Sequence, residues 1–379
     1  MTEHIVSQST ATPSGSAPSW SPLGSLTIQA APATTQILGM AAAVPARVYQ
    51  QMDLLKLLGY EDQEKARSLF ENCAIDQRYL ALDEADFQRL RDPKAQNDQS
   101  KQIVPLAEAA IKNVLAATGV HMEQLGCMIV TTTSGLHMPA VSAVLAARLG
   151  LPTDLVRYDL TGTGCVGAMP TLSLADDYVK ANPNKRVLAV CADLGSLVLG
   201  TAEPTDKEAM VVNALFGDAA VGMILGSGPS RPGIPEIVDV VYRQDQAFLD
   251  AAFVSMRPDH LLEAHISRSL PDRSAALLLA TLDALLEKHG LHRDDLKHWA
   301  GHPGGRLILD KSQDGLGLSD AQLAPSREVL RQFGNVSSPT CLLSLRELLA
   351  RERPAAGDRG VIAAIGPGLT VGIALLRWT

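Results

Sequence analysis

The hydrophobic pattern of the chain alternates between two periodicities, and this alternation predicts an α/β protein. Runs in which nearly every residue is apolar predict buried strands at 36–45, 127–133, 186–192, 219–225, 299–301 and 360–365, and in a last run that ends at Leu376. Apolar residues three or four positions apart predict helices at 49–59, 63–72, 101–118, 139–149, 211–216, 273–289 and 326–333. Residues 82–100 are charged and without a period, which predicts an irregular segment. Buried strands that alternate with helices indicate a predominantly parallel sheet covered on both faces.

Helix- and strand-breaking residues divide this pattern into two halves. The stretch 226–233 contains three glycines and two prolines and is the predicted boundary. Residues 35–230 and 231–379 show a similar order of strands and helices without a residue-level repeat, so we predict a pseudo-duplicated fold. Residues 1–34 are rich in Ser, Thr, Ala and Pro, a composition that predicts a disordered tail.

Composition and charge exclude several classes of function. Of the 379 residues 46% are hydrophobic and 20% are charged, as in globular proteins, and the net charge of −8 argues against a nucleic-acid-binding surface. The five cysteines are scattered and contain no C-x-x-C pair, which indicates neither a disulfide framework nor a zinc site. We therefore expect a cytoplasmic protein without a metal. No apolar run approaches the ~20 residues of a membrane span, and no signal peptide is evident, so no membrane partner is expected.

One cysteine lies in a setting that suits a nucleophile. Cys165 lies among glycines in the stretch 162–167, directly before a predicted helix. A thiol at a helix N-terminus meets unpaired N–H groups and the positive end of the helix dipole, which favour the thiolate and lower the pKa. The same pattern also suits a small buried cysteine on a tight strand-to-helix turn, since free cysteines are common core residues. This stretch alone leaves both hypotheses open.

Three stretches of the second half carry further candidate chemistry. His302 follows a predicted strand and opens a Pro-Gly-Gly turn, Asn335 lies in a Gly-Asn turn before a helix, and 366–370 is a glycine loop between two apolar strands. Each also has a structural explanation, as a polar strand end, a helix N-cap and a hairpin turn. Taken with Cys165, however, a Cys/His/Asn set is what acyl transfer requires: a thiolate attacks a thioester, and N–H donors stabilise an oxyanion or enolate.

At this point the sequence resembles a known family. The resemblance covers about residue 35 to the C-terminus and rests on six motifs in order: Val130-Thr-Thr-Thr-Ser-Gly-Leu-His-Met-Pro139, Gly164-Cys-Val-Gly-Ala168, Ala214-Leu-Phe-Gly-Asp218, His302-Pro-Gly-Gly305, Gly334-Asn-Val-Ser-Ser338 and Gly366-Pro-Gly-Leu-Thr370. These are similar to the type III polyketide synthases, the chalcone synthase family of the thiolase-fold superfamily. The resemblance implies a thiolase-like fold of two αβαβα halves that form a five-layered core. The stretch 69–79 is similar to bacterial members, with the dihydroxyphenylacetyl-CoA synthases as the nearest named branch.

The resemblance implies a role for each candidate catalytic residue. Cys165 would hold the starter acyl group and the growing chain as a thioester, and His302 would keep it as a thiolate through an ion pair. With Asn335, His302 would hold the malonyl thioester carbonyl while CO2 is lost. No metal or organic cofactor is implied, because the malonyl unit supplies its own carbanion; malonyl-CoA and a starter acyl thioester are the expected substrates. Resorcinol, phloroglucinol, pyrone and dihydroxyphenylacetyl-type products are all compatible with these motifs.

The resemblance also assigns binding residues. Phe216 would separate the CoA tunnel from the cavity, Met138 would reach into the partner of a homodimer, and Asp218 and Cys191 would be structural. Two family cations near the CoA entrance are replaced by Ser68 and Asn72, so delivery of the starter by a carrier protein stays open beside CoA. Residues expected to line the cavity, to form its floor or to bind CoA are Thr133, Gly195, Val198, Ala264 and Ser337, then Gly366, Pro367 and Gly368, and finally Lys65 and Arg78.

Three other functions compete with this interpretation. A ketoacyl synthase III also uses Cys, His and Asn, but its histidine typically lies in a His-Gln-Ala-Asn context, unlike His302 here. A biosynthetic thiolase needs a second cysteine in a Cys-x-Gly turn, whereas Cys341 lies in a predicted helix interior. A catalytically silent partner subunit is the alternative from a different class, and the intact catalytic set argues against it.

Overall fold

The computed structural model describes residues 34–134, 137–201, 206–229 and 231–379, and the side chain of Lys207 is not described. The predicted tail, apart from Thr34, lies outside the described residues. The strands are β1 (Thr35–Ala43), β2 (Val48–Gln50), β3 (Gln77–Tyr79), β4 (Leu125–Thr132), β5 (Val156–Thr161), β6 (Arg186–Leu194), β7 (Asp218–Gly226), β8 (Pro235–Gln244), β9 (Ala252–Met256), β10 (Leu262–Ile266), β11 (Leu296–Gly301), β12 (Arg359–Gly366) and β13 (Thr370–Trp378). The helices are α1 (Gln51–Leu57), α2 (Glu64–Asn72), α3 (Pro93–Ser100), α4 (Ile103–Thr118), α5 (Val141–Leu149), α6 (Ala168–Ala181), α7 (Lys207–Leu215), α8 (Leu270–Lys288), α9 (Arg306–Leu316), α10 (Asp320–Phe333) and α11 (Thr340–Arg351).

Nine of the described strands form one sheet, in the order β11-β12-β13-β8-β1-β7-β6-β4-β5. In the first half β1 is antiparallel to β7, β7 is antiparallel to β6, and β6 is parallel to β4. The second half repeats this order, because β8 is antiparallel to β13, β13 is antiparallel to β12, and β12 is parallel to β11. The two halves join where β1 pairs with β8. This repeated order confirms the predicted pseudo-duplicated fold.

The packing of helices on this sheet gives five layers. Along β6, Val187, Ala189 and Cys191 face a central core that contains α6 and α11, whereas Leu188 and Val190 face the outer helices α4 and α5. Strands β11, β12 and β13 also have two buried faces, one on the central core and the other on α8 and α9. Residues on both faces are apolar, as expected for strands buried on both sides. The predicted five-layered thiolase-like core is confirmed.

Two predictions about the elements were wrong. The sheet is not predominantly parallel, since five of its eight strand pairings are antiparallel. The link from β12 to β13 shows why: only Pro367, Gly368 and Leu369 separate the two strands, which is too short for a parallel crossover. The segment 82–100 is not irregular throughout, because α3 begins after Asp92, whose side chain accepts a hydrogen bond from the N–H of Lys94 at 2.9 Å.

Long helices do occur in the described part of the chain, but none is both long and apolar enough to cross a membrane. The longest, α8, has a buried face formed by leucines and carries acidic and basic residues on its exposed side.

Candidate active site

Cys165 lies in the link between β5 and α6. It belongs to a short 3₁₀ turn, Gly164–Val166, and its side chain is accessible from the cavity described below. Gly164 has a φ of +56°, and a Cβ there would lie 2.5 Å from a side-chain carbon of Pro367. Glycine is needed at this position because it permits both the positive φ and the close contact. The contact brings the cysteine of the first half against the Gly-Pro-Gly loop of the second.

Asn335 lies where the two halves of the chain meet. Its backbone N–H donates to the carbonyl of Leu215 at 2.8 Å, and its own carbonyl accepts from the N–H of Gly217 at 3.0 Å. Its side-chain Oδ1 accepts from the N–H of Ser337 at 2.9 Å, and Nδ2 donates to the carbonyl of Gly304 at 3.4 Å, which leaves the second N–H of Nδ2 for the cavity. Both side-chain atoms lie 3.9 Å from the sulfur of Cys165. A substrate carbonyl bound near the sulfur would therefore lie within reach of this amide.

His302 follows the last residue of β11 and is buried. Its backbone N–H donates to the carbonyl of Ala363 at 2.8 Å, which fixes its position beside β12. Neither ring nitrogen has a hydrogen-bond partner among the described residues. Burial lowers the pKa of the imidazole to about 3, so the ring is neutral across the physiological range. Two free ring nitrogens in a buried site provide one acceptor and one donor for a substrate.

Burial of both groups works against the thiolate–imidazolium pair expected from the resemblance. Burial raises the pKa of the Cys165 thiol to about 11, and the hydrogen bonds from Ser337 and Asn335 only partly offset this effect. The pKa of His302 moves in the opposite direction, so each group favours its neutral form. The expected lowering of the thiol pKa by the helix N-terminus is likewise opposed by burial.

These residues meet in one cavity of about 550 Å³. Twelve of the fifteen residues expected from the sequence line it, and they come from both halves of the chain. They are Cys165, His302, Asn335, Thr133, Gly195, Val198, Phe216, Ala264, Ser337, Gly366, Pro367 and Gly368.

The other three expected residues lie elsewhere. Met138 is 91% exposed in the link between β4 and α5. Lys65 is exposed on α2 and does not line the cavity. Arg78 is fully buried, and this corrects its predicted role, because its guanidinium has no exposed atom that could meet a CoA phosphate.

Arg78 instead binds the C-terminus of α7. The last four carbonyls of a helix have no partner within the helix. In α7 each of these four carbonyls accepts a hydrogen bond, either from the residue that directly follows the helix or from a distant residue. The donors to Val212, Asn213, Ala214 and Leu215 are, in turn, the N–H of Phe216 (3.3 Å), Nη1 of Arg78 (2.8 Å), Nε2 of Gln51 (2.8 Å) and the N–H of Asn335 (2.8 Å).

The same guanidinium also donates to the carbonyl of Phe216 at 2.8 Å. Burial lowers the pKa of Arg78 to about 10, so it remains a cation at neutral pH, where it stabilises the negative end of the helix dipole. Its side-chain carbons pack beneath Gly334, whose Cβ, if present, would lie 3.0 Å from Cδ of Arg78. Arg78 therefore supports the backbone on both sides of the Phe216–Asn335 contact. We call Arg78, Phe216 and Asn335, together with Leu215 and Gly217, the junction.

Asp193 is a cavity residue that the sequence did not predict. Its buried carboxylate accepts from the backbone N–H and hydroxyl of Thr133 at 2.7 and 2.8 Å, and from the N–H and hydroxyl of Ser338 at 3.0 and 2.5 Å. Burial raises its pKa despite these donors. The carboxylate joins a loop of the first half to a loop of the second. The sequence pattern could have indicated Asp193, since an acidic residue directly follows the apolar run 186–192.

Comparison with known proteins identifies the family. The family model of the N-terminal domain of chalcone and stilbene synthases matches residues 25–229, and that of the C-terminal domain matches residues 250–379. The chain belongs to this family. It is a type III polyketide synthase, an acyltransferase of the chalcone synthase-like type, and the family uses malonyl-CoA and acyl-CoA substrates.

Individual relatives agree with this assignment. The synthase is 31% identical to the 3,5-dihydroxyphenylacetyl-CoA synthase of Streptomyces toyocaensis, over 92% of this chain and 91% of the relative. It is 29% identical to the 1,3,6,8-tetrahydroxynaphthalene synthase of Streptomyces peucetius subsp. caesius, over 91% and 93%. The crystal structure of PKS-I from the brown alga Ectocarpus siliculosus superimposes with a TM-score of 0.86 at 26% identity, covering 93% of this chain and 100% of that one. The predicted similarity to bacterial type III synthases is confirmed.

Proposed function

We propose that the synthase loads an acyl group onto Cys165 and extends it with malonyl units by decarboxylative condensation. The observation that carries this proposal is the convergence of Cys165, His302 and Asn335 on one cavity. Residues 35–230 supply the nucleophile, and residues 231–379 supply the two polar groups that assist it. The site thus depends on both halves.

Loading begins from a neutral thiol and a neutral imidazole. As a starter thioester enters, an imidazole nitrogen of His302 takes the Cys165 proton, and the thiolate attacks the carbonyl. The tetrahedral oxyanion accepts hydrogen bonds from the site, and it collapses to a Cys165 thioester as the carrier thiolate leaves. The proton held by His302 returns to that leaving group, so the imidazole is neutral again for the next step.

Extension needs donors rather than a base. A malonyl thioester places its carbonyl oxygen against Nδ2 of Asn335 and the N–H of neutral His302. The bond to the carboxylate breaks, CO2 leaves, and the electron pair forms an enolate whose oxygen these two donors stabilise. The enolate carbon attacks the Cys165 thioester, forms the new C–C bond and expels the Cys165 thiolate. This thiolate then attacks the thioester of the lengthened chain, which returns to Cys165 as the carrier thiolate leaves.

The remaining cavity residues would shape the product. Phe216 separates the entrance from the elongation cavity, and Gly366, Pro367 and Gly368 form the floor. Thr133, Gly195, Val198, Ala264 and Ser337 set the space in which the chain folds before it closes to a resorcinol, phloroglucinol, pyrone or dihydroxyphenylacetyl-type product.

The finer partner assignments belong to the same proposal. Lys65 is exposed and positively charged, so it would contact the phosphates of a CoA substrate. Met138, at 91% exposure, would become buried against the second subunit of a homodimer. Delivery of the starter by CoA or by a carrier protein is compatible with this geometry, and we place the reaction in the cytoplasm.

Mass spectrometry tests the proposal directly. The protein is incubated with malonyl-CoA and a panel of starter acyl-CoAs, and both the intact protein and the small products are analysed. We expect a mass increase on Cys165 and products that contain several malonyl-derived units. Cys165→Ala removes the nucleophile, so it is expected to form no acyl-enzyme. Product with a single extension would favour a ketoacyl synthase-like reaction, whereas a folded protein that neither loads nor releases CO2 would be a silent subunit.

A further inference from the structure

One wall of the cavity is a continuous apolar surface. Strands β9 and β10 form an antiparallel hairpin, and directly opposite residues in such a pair point to the same side. The residues that share the cavity side are all apolar, and all line the cavity with Cys165. They are the pairs Ala252 and Ile266, Val254 and Ala264, and Met256 and Leu262, which we call the apolar strip.

The opposite side of the hairpin is polar apart from Phe253, and two of its residues, Phe253 and His265, also line the cavity. Ser255 donates to Glu263 at 3.2 Å, and Nδ1 of His265 lies 2.6 Å from a carboxylate oxygen of Glu208. Phe253 stacks on the ring of His265 with centroids 4.8 Å apart. The side chains on this side therefore have partners within the protein.

The apolar strip is left partly uncovered. Val254 is 49% and Met256 is 61% exposed within the part of the chain that the structure describes. Apolar area in contact with water costs on the order of 25 cal/mol per Å², and contiguous patches of this kind often mark ligand sites. Because the strip faces the cavity, its natural occupant is something bound in that cavity.

The strip begins near the nucleophile and leads away from it. Its first residue, Ala252, accepts a hydrogen bond through its carbonyl from the N–H of Gly368 at 3.4 Å, and the adjoining Pro367 contacts the turn that holds Cys165. From Ala252 to Met256 the strand advances about 13 Å, at about 3.3 Å per residue. At the far end, the N–H of Leu262 donates to Gln96 at 3.0 Å.

We propose that the apolar strip binds the hydrocarbon tail of a linear fatty acyl starter whose carbonyl is attached to Cys165. This inference rests on the proposed acyl-transfer function of the same cavity. The strip suits an extended flexible chain, because its six side chains are apolar and carry neither a charge nor a ring. The rings of Phe253 and His265 border the cavity from the other side of the hairpin. The strip thus selects the starter by the apolar area that the starter can cover.

A chain-length series tests this inference. With acetyl-, hexanoyl-, decanoyl- and tetradecanoyl-CoA as starters, kcat/KM should rise with chain length, at most about fourfold per methylene, and level off once the strip is covered. Val254→Gln and Met256→Gln are each expected to lower kcat/KM for decanoyl-CoA at least about tenfold, with kcat/KM for acetyl-CoA changed less than about twofold. Ser255→Gln is the matched control on the same strand, because its side chain points to the polar side, and it should leave the profile unchanged.

The possible results distinguish failure of this inference from failure of the proposed acyl-transfer function. Equal kcat/KM along the series, or loss that Ser255→Gln reproduces, would overturn the role of the strip. An unchanged series together with an altered sedimentation coefficient in Val254→Gln would assign the strip to a protein contact and would also overturn it. Acylation of Cys165 and release of CO2 from malonyl-CoA are measured in every variant, so failure of the proposed function itself would be visible independently of chain length.

Discussion

The junction and the β9–β10 hairpin both border the cavity, yet they are built on opposite principles. At the junction every terminal carbonyl of α7 has a donor, and the cation that supplies one of them, Arg78, has no exposed surface. In the hairpin, apolar side chains such as Met256 remain in contact with water. The junction is satisfied by the protein itself, whereas the hairpin leaves its apolar side for something else.

This difference suggests that the junction serves the chemical step and the hairpin serves the choice of substrate. A donor that stabilises an enolate must be held in place before the substrate arrives, since reorganisation would cost part of the stabilisation. A surface that accepts a hydrocarbon needs no directional bond, because burial of apolar area is the driving force and has no preferred geometry. Changes at the junction should therefore alter rate constants for all substrates, and changes on the hairpin should alter the choice among them.

The largest expected effect is the pH dependence of the reactivity of Cys165, whose thiol lines the cavity. The pKa of Cys165 is raised to about 11. At pH values below this pKa, the thiolate fraction should therefore increase about tenfold for each unit by which the pH is raised. Alkylation of Cys165 by iodoacetamide should accelerate about a thousandfold from pH 7 to pH 10, with Cys165→Ala as the blank. A rate that is flat across neutral pH would show a thiolate–imidazolium pair instead.

The second largest effect is expected when the side-chain donor of Asn335 at the junction is removed. Asn335→Ala should lower malonyl-CoA decarboxylation about 10²- to 10³-fold, the usual loss for one oxyanion donor. Loading of Cys165 should fall much less, because that step does not pass through the enolate. Single-turnover acylation and CO2 release are measured side by side; equal loss of both in a folded variant would contradict the assigned role.

Loss of the buried cation should act on stability first. Arg78→Met leaves the carbonyls of Asn213 and Phe216 without a donor, at a cost of about 1–3 kcal/mol for each. Urea unfolding should show this loss, and Arg78→Lys should restore part of it. Leu80→Ala, a neighbouring core truncation, should also destabilise the protein but should leave the ratio of decarboxylation to loading unchanged. A similar ratio in Arg78→Met and Leu80→Ala would mean that Arg78 does not position Asn335.

The smallest effect is expected on the polar side of the hairpin. His265 and Glu208 are both substantially exposed, and exposed ion pairs contribute at most about 1 kcal/mol. His265→Gln should therefore change the free energy of unfolding by less than about 1 kcal/mol in a urea titration. A larger change would indicate that this contact anchors the cavity wall.

The sequence predicted the parts that depend on local pattern. Apolar runs such as 186–192 correspond to strands buried on both faces, and twelve expected site residues line the cavity. The effect of burial on the pKa of Cys165 could not be predicted, because desolvation arises only from tertiary packing, whereas the position before a helix is visible in the sequence. Arg78 was misplaced for a related reason: an arginine is usually exposed, and only the capping of a helix distant in sequence explains its burial. The exposed strand β5 has no apolar alternation to detect.

The hydrogen bond between Asn335 and Leu215 also bears on how the protein matures. It joins two residues far apart in the chain, so it forms only when segments of both halves have come together. Until then the amide of Asn335 has no fixed place and α7 has no completed end. A chain that has not yet made this contact therefore carries a cysteine but no complete site, so the capacity for chemistry depends on assembly of the whole chain.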